Sequence, residues 1–224
     1  VVRLSVAVQH HPKRDYLIEP LLAALGDPEP EVVAAPDPDG RPNPWREYRR
    51  ALETAPPKAT HRLVFQDDAH PCRDFQKAAR RAVAARPDAL VVFCVLGAPR
   101  SWAARVTVAA GAGRPWAELD VHRLRTWLPV VAVSWPVALI EPALRWVDRQ
   151  RWPHSFVADD EVVGRVANGM PLPVLATVPS LVEHPDDVPS SVGRRTPRAG
   201  LDPNRVAACF IDDEECDPLS IDWG

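Results

Sequence analysis

His61-Arg62-Leu63-Val64-Phe65-Gln66-Asp67-Asp68 carries the reading of the fold. Leu63, Val64 and Phe65 form a β-rich apolar run that stops abruptly at two carboxylates, the form of a strand whose carboxyl end opens onto a polar crevice. Upstream, Leu4 to Val8 (LSVAV) is a second such run, ending in His10-His11-Pro12-Lys13-Arg14. Leu17, Leu21, Leu22 and Leu25 then recur at helical spacing up to Gly26, with Pro20 either kinking that helix or standing in its first turn. Glu31 to Ala35 is a short strand, residues 36–44 are a loop by their Pro, Asp and Gly content, and a helix runs from Trp45 to about Thr54. Downstream, Phe75, Ala78, Ala79, Ala82 and Val83 mark a helix that ends before Pro87, and Ala89 to Leu96 (ALVVFCVL) suits a central strand. Strands alternating with helices predict an α/β domain with a mostly parallel central sheet flanked by helices. Ligands of such sheets bind at the carboxyl ends of the strands, where His10 to Arg14, Asp37 to Asn43 and Asp67-Asp68 all fall.

The remaining chain is less periodic. Residues 97–153 hold six of the eight tryptophans, with strand candidates at Val130 to Val133 and Val137 to Ile140. Asp159-Asp160-Glu161 opens a helix through Val166 that stops near Asn168-Gly169, and Leu172 to Val178 is a further strand. Ile211 to Gly224 is acidic and is expected on the surface. Lys plus Arg number 27 against 30 for Asp plus Glu, a net charge of -3, so no overall cationic field draws the chain to nucleic acid or anionic lipid. The longest apolar stretch, Leu128 to Ile140, is broken by Pro129, Ser134 and Pro136 and falls short of the roughly 20 residues that a membrane-spanning helix needs. Val1 to Ser5 reaches polar Gln9 and His10 too early for a secretory leader, and a cytoplasmic protein is expected. Cys72, Cys94, Cys209 and Cys216 lack CxxC spacing and fit a reducing compartment, with a Cys209–Cys216 bridge left open.

Asp67 and Asp68 at a strand end repel one another unless a cation lies between or beside them. Hard oxygen ligands suit Mg²⁺ or Mn²⁺, which complete their shells with phosphate oxygens and water, so a diphosphate is the natural companion. The competing reading makes one of the two acids the N-cap of the next helix. His184, after another apolar strand, brings an imidazole to the same crevice or is a surface loop histidine. Asp, Asp and a late His together make a facial set for Mn²⁺.

LSVAVQHHPKR, HRLVFQDDAHPCRDF and VPSLVEHPDDVPSSVG, in that order, resemble the small glycosyltransferases of actinobacteria and their phages, which share the glycosyltransferase A-type fold. The likeness spans most of residues 4–193 and implies one nucleotide-sugar transferase domain over 1–193, with 194–224 as an extension packing on or flanking the active site. It implies a metal-dependent glycosyltransferase that moves a sugar from a nucleoside-diphosphate donor to a hydroxyl acceptor, with Mn²⁺ or Mg²⁺ as cofactor. Asp68 then resembles the metal-binding acid, Asp67 the acid that reaches the ribose or donor sugar, and His184 the late metal ligand. This chain has Gln66-Asp67-Asp68 in place of Asp-x-Asp, which leaves the division of labour between the acids open. His10, Lys13 and Arg14 match the family's nucleotide-contacting turn. Asp37, with Asp39, stands where the fold places a residue for the nucleoside, and Arg194, with Arg195, where a loop closes over the diphosphate. Asp159 and Asp160 match the acceptor-side acid that deprotonates the incoming hydroxyl, although a helix cap explains one of them. The acceptor is a protein, a glycan or modified DNA, with no membrane partner, in the host cytoplasm if the gene is a phage's. The alternatives are a metal-dependent phosphoesterase or nucleotide hydrolase on the same residues, and a nucleotide-sugar-binding module without chemistry.

Overall fold

The computed structural model describes residues 1–26, 30–34, 43–97, 100–120, 127–150, 158–185, 205–211 and 216–224. In chain order the elements are β1 (Leu4–His10), α1 (Asp15–Leu25), β2 (Glu31–Ala34), α2 (Pro44–Glu53), β3 (His61–Gln66) and β4 (His70–Pro71). There follow α3 (Phe75–Ala85), β5 (Leu90–Val92), α4 (Arg100–Gly111), β6 (Trp116–Glu118) and β7 (Ala132–Pro136). The last are α5 (Val137–Arg149), α6 (Asp159–Gly169), β8 (Val174–Thr177) and β9 (Val182–Glu183).

Seven strands form one sheet in the order β2-β1-β3-β7-β5-β8-β6, with helices on its faces, so the α/β class holds. The expectation of a mostly parallel sheet does not. β1 is parallel to β2 and β3, and β5 to β8, but β7 is antiparallel to both β3 and β5, and β6 is antiparallel to β8. The physical reason lies in the tryptophan-rich middle: β7 enters the sheet between two strands already set by the alternating first half, running against both. Its continuation corrects a second expectation, because Val137 to Ile140 is the first turn of α5 rather than a strand. Pro136, with φ fixed near −57°, ends the strand, and Ile140, Ala143, Leu144 and Val147 then bury one helical face at i, i+3, i+4, i+7 spacing. The long run Ala89 to Leu96 is in the sheet only over Leu90–Val92. Past it, the Phe93 carbonyl accepts from Leu181 and Val182 and the Val95 carbonyl from Ala208, so the chain leaves the sheet to carry the segments around the site.

Strand alternation divides the core in two. Val8, Leu63 and Phe65 face Phe75 and Phe93 on the side of α1 and α3. Ala7 and Val64 face Tyr48, Trp135 and Val162 on the side of α2, α5 and α6. α1 stops at Gly26, whose φ of +70° favours glycine, while Pro20 lies on the exposed side within the helix. α2 is opened by Asn43, whose side chain accepts from the Arg46 N–H, with Pro44 in the first helical position.

Of the acidic carboxyl-terminal stretch, expected on the surface, the described residues 211 and 216–224 are only partly exposed. Ile211 and Trp223 are buried with the α1/α3 core. Trp223 packs on Trp116 at 5.1 Å between ring centres, and the Trp116 indole N–H donates to the Trp223 carbonyl. Arg81 donates to the Leu219 carbonyl and Arg86 to that of Gly224. All four cysteines are free, including Cys209 and Cys216. Among the described residues no helix is long and apolar enough to cross a membrane.

Candidate functional site

The site forms at the carboxyl ends of β1 and β3, which run parallel in register with Gln9 beside Gln66. Beyond those ends the chain makes two tight features. Residues 12–14 form a 3-10 turn in which the Arg14 N–H donates to the His11 carbonyl. Asp67 and Asp68 form the turn after β3, held by the Asp67 N–H on the Gln9 carbonyl at 3.1 Å. A third segment arrives from far along the sequence: β9 pairs antiparallel with β4, His70 opposite Glu183, and this places His184 beside the acid pair. The little ladder is the device that joins the third motif to the second.

The result is a buried network of charge. Asp67 and Asp68 are each only 4% exposed, and one guanidinium spans them. Arg14 donates through Nη1 to Asp67 Oδ1 at 2.7 Å and through Nη2 to Asp68 Oδ2 at 2.9 Å. Asp67 also accepts the His11 backbone N–H at 2.8 Å, and its Oδ2 lies 3.1 Å from His10 Nδ1. His10 in turn meets Asp15 through Nε2 at 2.7 Å. Both oxygens of Asp67 are therefore engaged, and this acid organises the β1–α1 turn. Asp68 differs: His184 Nε2 lies 3.5 Å from its Oδ2, while Oδ1 is buried without a hydrogen-bond partner. His184 Nδ1 is likewise buried and without a partner.

Burial alone pushes the Asp68 carboxyl up, but His184 and Arg14 outweigh it, and the group titrates below the ordinary aspartate range. Burial also pulls down on the Arg14 guanidinium, and the two acids beside it more than compensate, holding it charged.

A second acidic site lies across the sheet. Gln9 and Gln66 share the face of Ala7 and Val64, opposite to His10 and Asp67. The Gln9 amide donates to Asp159 Oδ2 at 3.0 Å and to the Pro44 carbonyl at 2.9 Å, and the Gln66 side chain also hydrogen-bonds Asp159. Asp159, 6% exposed at the start of α6, has its carboxyl raised by burial. Asp160, partly exposed, accepts from the Trp127 indole N–H; burial first, and then the neighbouring Asp159 charge, push its pKa up to about 6. Trp127 stacks on buried Trp102 at 6.0 Å. The two acid pairs are thus met from adjacent positions at the carboxyl ends of β1 and β3, Gln9 and Gln66 turning to Asp159 and His10 and Asp67 to the other cluster.

Of the residues singled out in the sequence, His10, Arg14, Asp67, Asp68 and His184 come together in one cluster, Asp159 and Asp160 adjoin it through Gln9, and Lys13 is exposed on the same turn. Asp37, Asp39, Arg194 and Arg195 lie outside the described residues. Gln9, Gln66, Asp15 and Glu183 join the site without being singled out as site residues by the sequence. The two glutamines had a signal: each occupies a core-facing position in an otherwise apolar strand, where a polar side chain needs a buried partner. Glu183 had none, since its role depends on a fold-back: its Oε1 accepts from the N–H groups of His184 and, across the chain, Ala207.

The donor set bears on a metal. Among the described residues no group of three or more His, Cys, Asp or Glu side chains is placed to hold an ion. Asp68 Oδ2 and His184 Nε2 face one another at 3.5 Å, while the buried atoms without partners, Asp68 Oδ1 and His184 Nδ1, belong to the same two side chains, so an ion held here would have to take most of its shell from outside these residues. A comparison with protein-family models found no match to this chain, and a comparison with curated proteins found none either.

Proposed function

We propose that this protein is a glycosyltransferase of the A-type fold that binds a nucleoside-diphosphate sugar, with Mn²⁺ or Mg²⁺, at Asp68 and His184 and passes the sugar to a hydroxyl acceptor. The observation that carries the reading is the convergence of three sequence-distant motifs, ending at Arg14, Asp68 and His184, on one buried charged cluster at the carboxyl ends of β1 and β3. A mixed seven-stranded sheet, with its acid pair after a central strand, is compatible with that fold.

Asp68 and His184 would hold a divalent ion, which when bound would supply positive charge to the departing diphosphate. The chain's own residues do the rest. Asp67 fixes the β1–α1 turn, so that Arg14 and exposed Lys13 lie beside the diphosphate. Asp159, locked by Gln9 and Gln66, holds the start of α6. Asp160 is the partly exposed acid of that pair and takes the proton of the acceptor hydroxyl while the new C–O bond forms. The bond from the sugar to the β-phosphate breaks, and its electron pair leaves with the nucleoside diphosphate. A pKa near 6 lets Asp160 accept that proton at neutral pH.

The test is transfer from a panel of nucleotide sugars to simple glycoside acceptors, with Mn²⁺, Mg²⁺ or EDTA. Transfer that needs metal and is lost in Asp68→Ala supports the reading. Phosphate release from nucleotides without an acceptor points to a phosphoesterase, and metal-dependent binding without turnover points to a binding module.

A further inference from the structure

The acid pair is already neutralised by a cation of the chain itself. Arg14 bridges Asp67 and Asp68 at 2.7 and 2.9 Å, in a cluster from which water is almost excluded. A divalent ion on Asp68 would stand next to the same guanidinium, and like charges a few ångströms apart in a poorly solvated site repel strongly. Beside the guanidinium, His184 Nε2 lies 3.5 Å from the same Asp68 Oδ2 that Arg14 holds, a spacing two ligands of one ion could have, and Asp68 Oδ1 is buried without a partner. An ion-binding pair is therefore present, with an arginine in the position of the counter-charge.

We propose that Arg14 is a placeholder cation: its guanidinium on the Asp67–Asp68 pair suppresses binding of divalent metal there until a diphosphate draws it away from Asp68. The diphosphate offers the guanidinium replacement oxygens in bidentate geometry, so the arginine keeps a full complement of acceptors when it moves. Asp67, with its other oxygen already on His11 and His10, keeps the loop in place during the exchange. Metal and nucleotide then bind together and neither binds well alone. The inference rests on Asp68 as the metal-facing acid and does not require that a sugar be transferred.

The decisive experiment uses Mn²⁺ alone, without nucleotide, against the full chain and its Arg14→Gln variant, read by thermal unfolding and by the free-Mn²⁺ signal in electron paramagnetic resonance. NaCl at equal ionic strength controls for screening. Wild type should show no rise in Tm and no depletion of free Mn²⁺ at millimolar metal. Arg14→Gln should start less stable and gain about 5 °C or more with Mn²⁺, the size of shift that a ligand about 100-fold above its Kd produces in a chain of this length. Adding Asp68→Asn to Arg14→Gln should abolish the gain. Arg14→Lys, whose single ammonium cannot span both acids, should bind Mn²⁺ more tightly than wild type and decides the matter if Arg14→Gln does not fold. Equal Mn²⁺ binding by wild type and these variants, whether present in both or absent from both, overturns the proposal. Tight Mn²⁺ binding by Arg14→Gln, with no nucleoside diphosphate bound by either protein, keeps Arg14 as the cation that excludes metal but overturns its release by a diphosphate, and with it the donor-site reading.

Discussion

The two adjacent aspartates should behave as different kinds of residue, and the substitution that separates them is Asp67→Asn against Asp68→Asn. Asp67 accepts from Arg14 at 2.7 Å and from the His11 N–H at 2.8 Å, and lies 3.1 Å from His10 Nδ1, while 4% exposed. An asparagine there keeps one acceptor oxygen and turns an amide N–H₂ toward groups that themselves donate, leaving a buried guanidinium half paired. Breaking a buried ion pair costs about 3–5 kcal/mol, and the retained oxygen puts this case near 3 kcal/mol. For a chain of this length that is about 6–12 °C in Tm. Asp68 has an idle oxygen, Oδ1, which the asparagine N–H₂ can replace while its carbonyl still accepts from Arg14. Its cost should be about 1 kcal/mol, or about 2–4 °C. Urea and thermal unfolding of both variants, with unchanged far-ultraviolet circular dichroism at low temperature, give the comparison. A loss below about 1 kcal/mol for Asp67→Asn, or an Asp68→Asn loss equal to it, would refute the assignment of one acid to the scaffold and the other to the ligand.

Asp160, whose pKa is raised to about 6, is favoured in its protonated form by the fold, so its contribution is complete below the unfolded value near 4 and is lost as pH rises through about 6. Asp160→Asn should therefore gain about 1–2 kcal/mol relative to wild type between pH 4 and pH 7, after discounting for partial exposure, and the difference in Tm at the two pH values measures it. The same variant should lose sugar transfer, whereas wild-type transfer rises with pH through about 6. Tyr48→Phe should cost about 1–3 kcal/mol by urea denaturation, because the Trp135 indole N–H, fully buried, now donates to Tyr48 Oη at 2.9 Å and would lose its acceptor. Trp223→Ala should cost about 3 kcal/mol in the same assay, by emptying the contact with Trp116.

What the chain discloses without its fold follows from the range of the interactions involved. β1, β3, α1 and α3 are set by local periodicity, and Leu63, Phe65 and Phe75 announce their burial in the pattern itself. The same holds for the acids at the end of β3, which are consecutive residues. Val137 to Ile140 misleads because a short apolar run has no period, and only Ala143, Leu144 and Val147 beyond Pro142 disclose the helix. The antiparallel entry of β7 and the pairing of β4 with β9 depend on contacts between residues 70 and 183, or 63 and 134, which no window of sequence contains. The hardest element to foresee is Arg14. Beside Lys13 it reads equally as a nucleotide contact or as one of two solvated charges before a helix, and its burial between two carboxylates is decided by a turn 53 residues away. The glutamines at 9 and 66 lie between these cases, since their period-2 positions face inward and only their partner, Asp159, is remote.

The central claim is that Asp68 and His184 receive a nucleoside diphosphate with a divalent ion. Calorimetric titration with UDP, GDP, CDP, ADP and dTDP, each with Mn²⁺, Mg²⁺ or EDTA, tests it most directly in wild type and Asp68→Ala. The account predicts that one nucleoside diphosphate binds only with metal, and that Asp68→Ala loses this binding while remaining folded. Binding that is indifferent to EDTA, retained in Asp68→Ala, or absent for every nucleotide would contradict it.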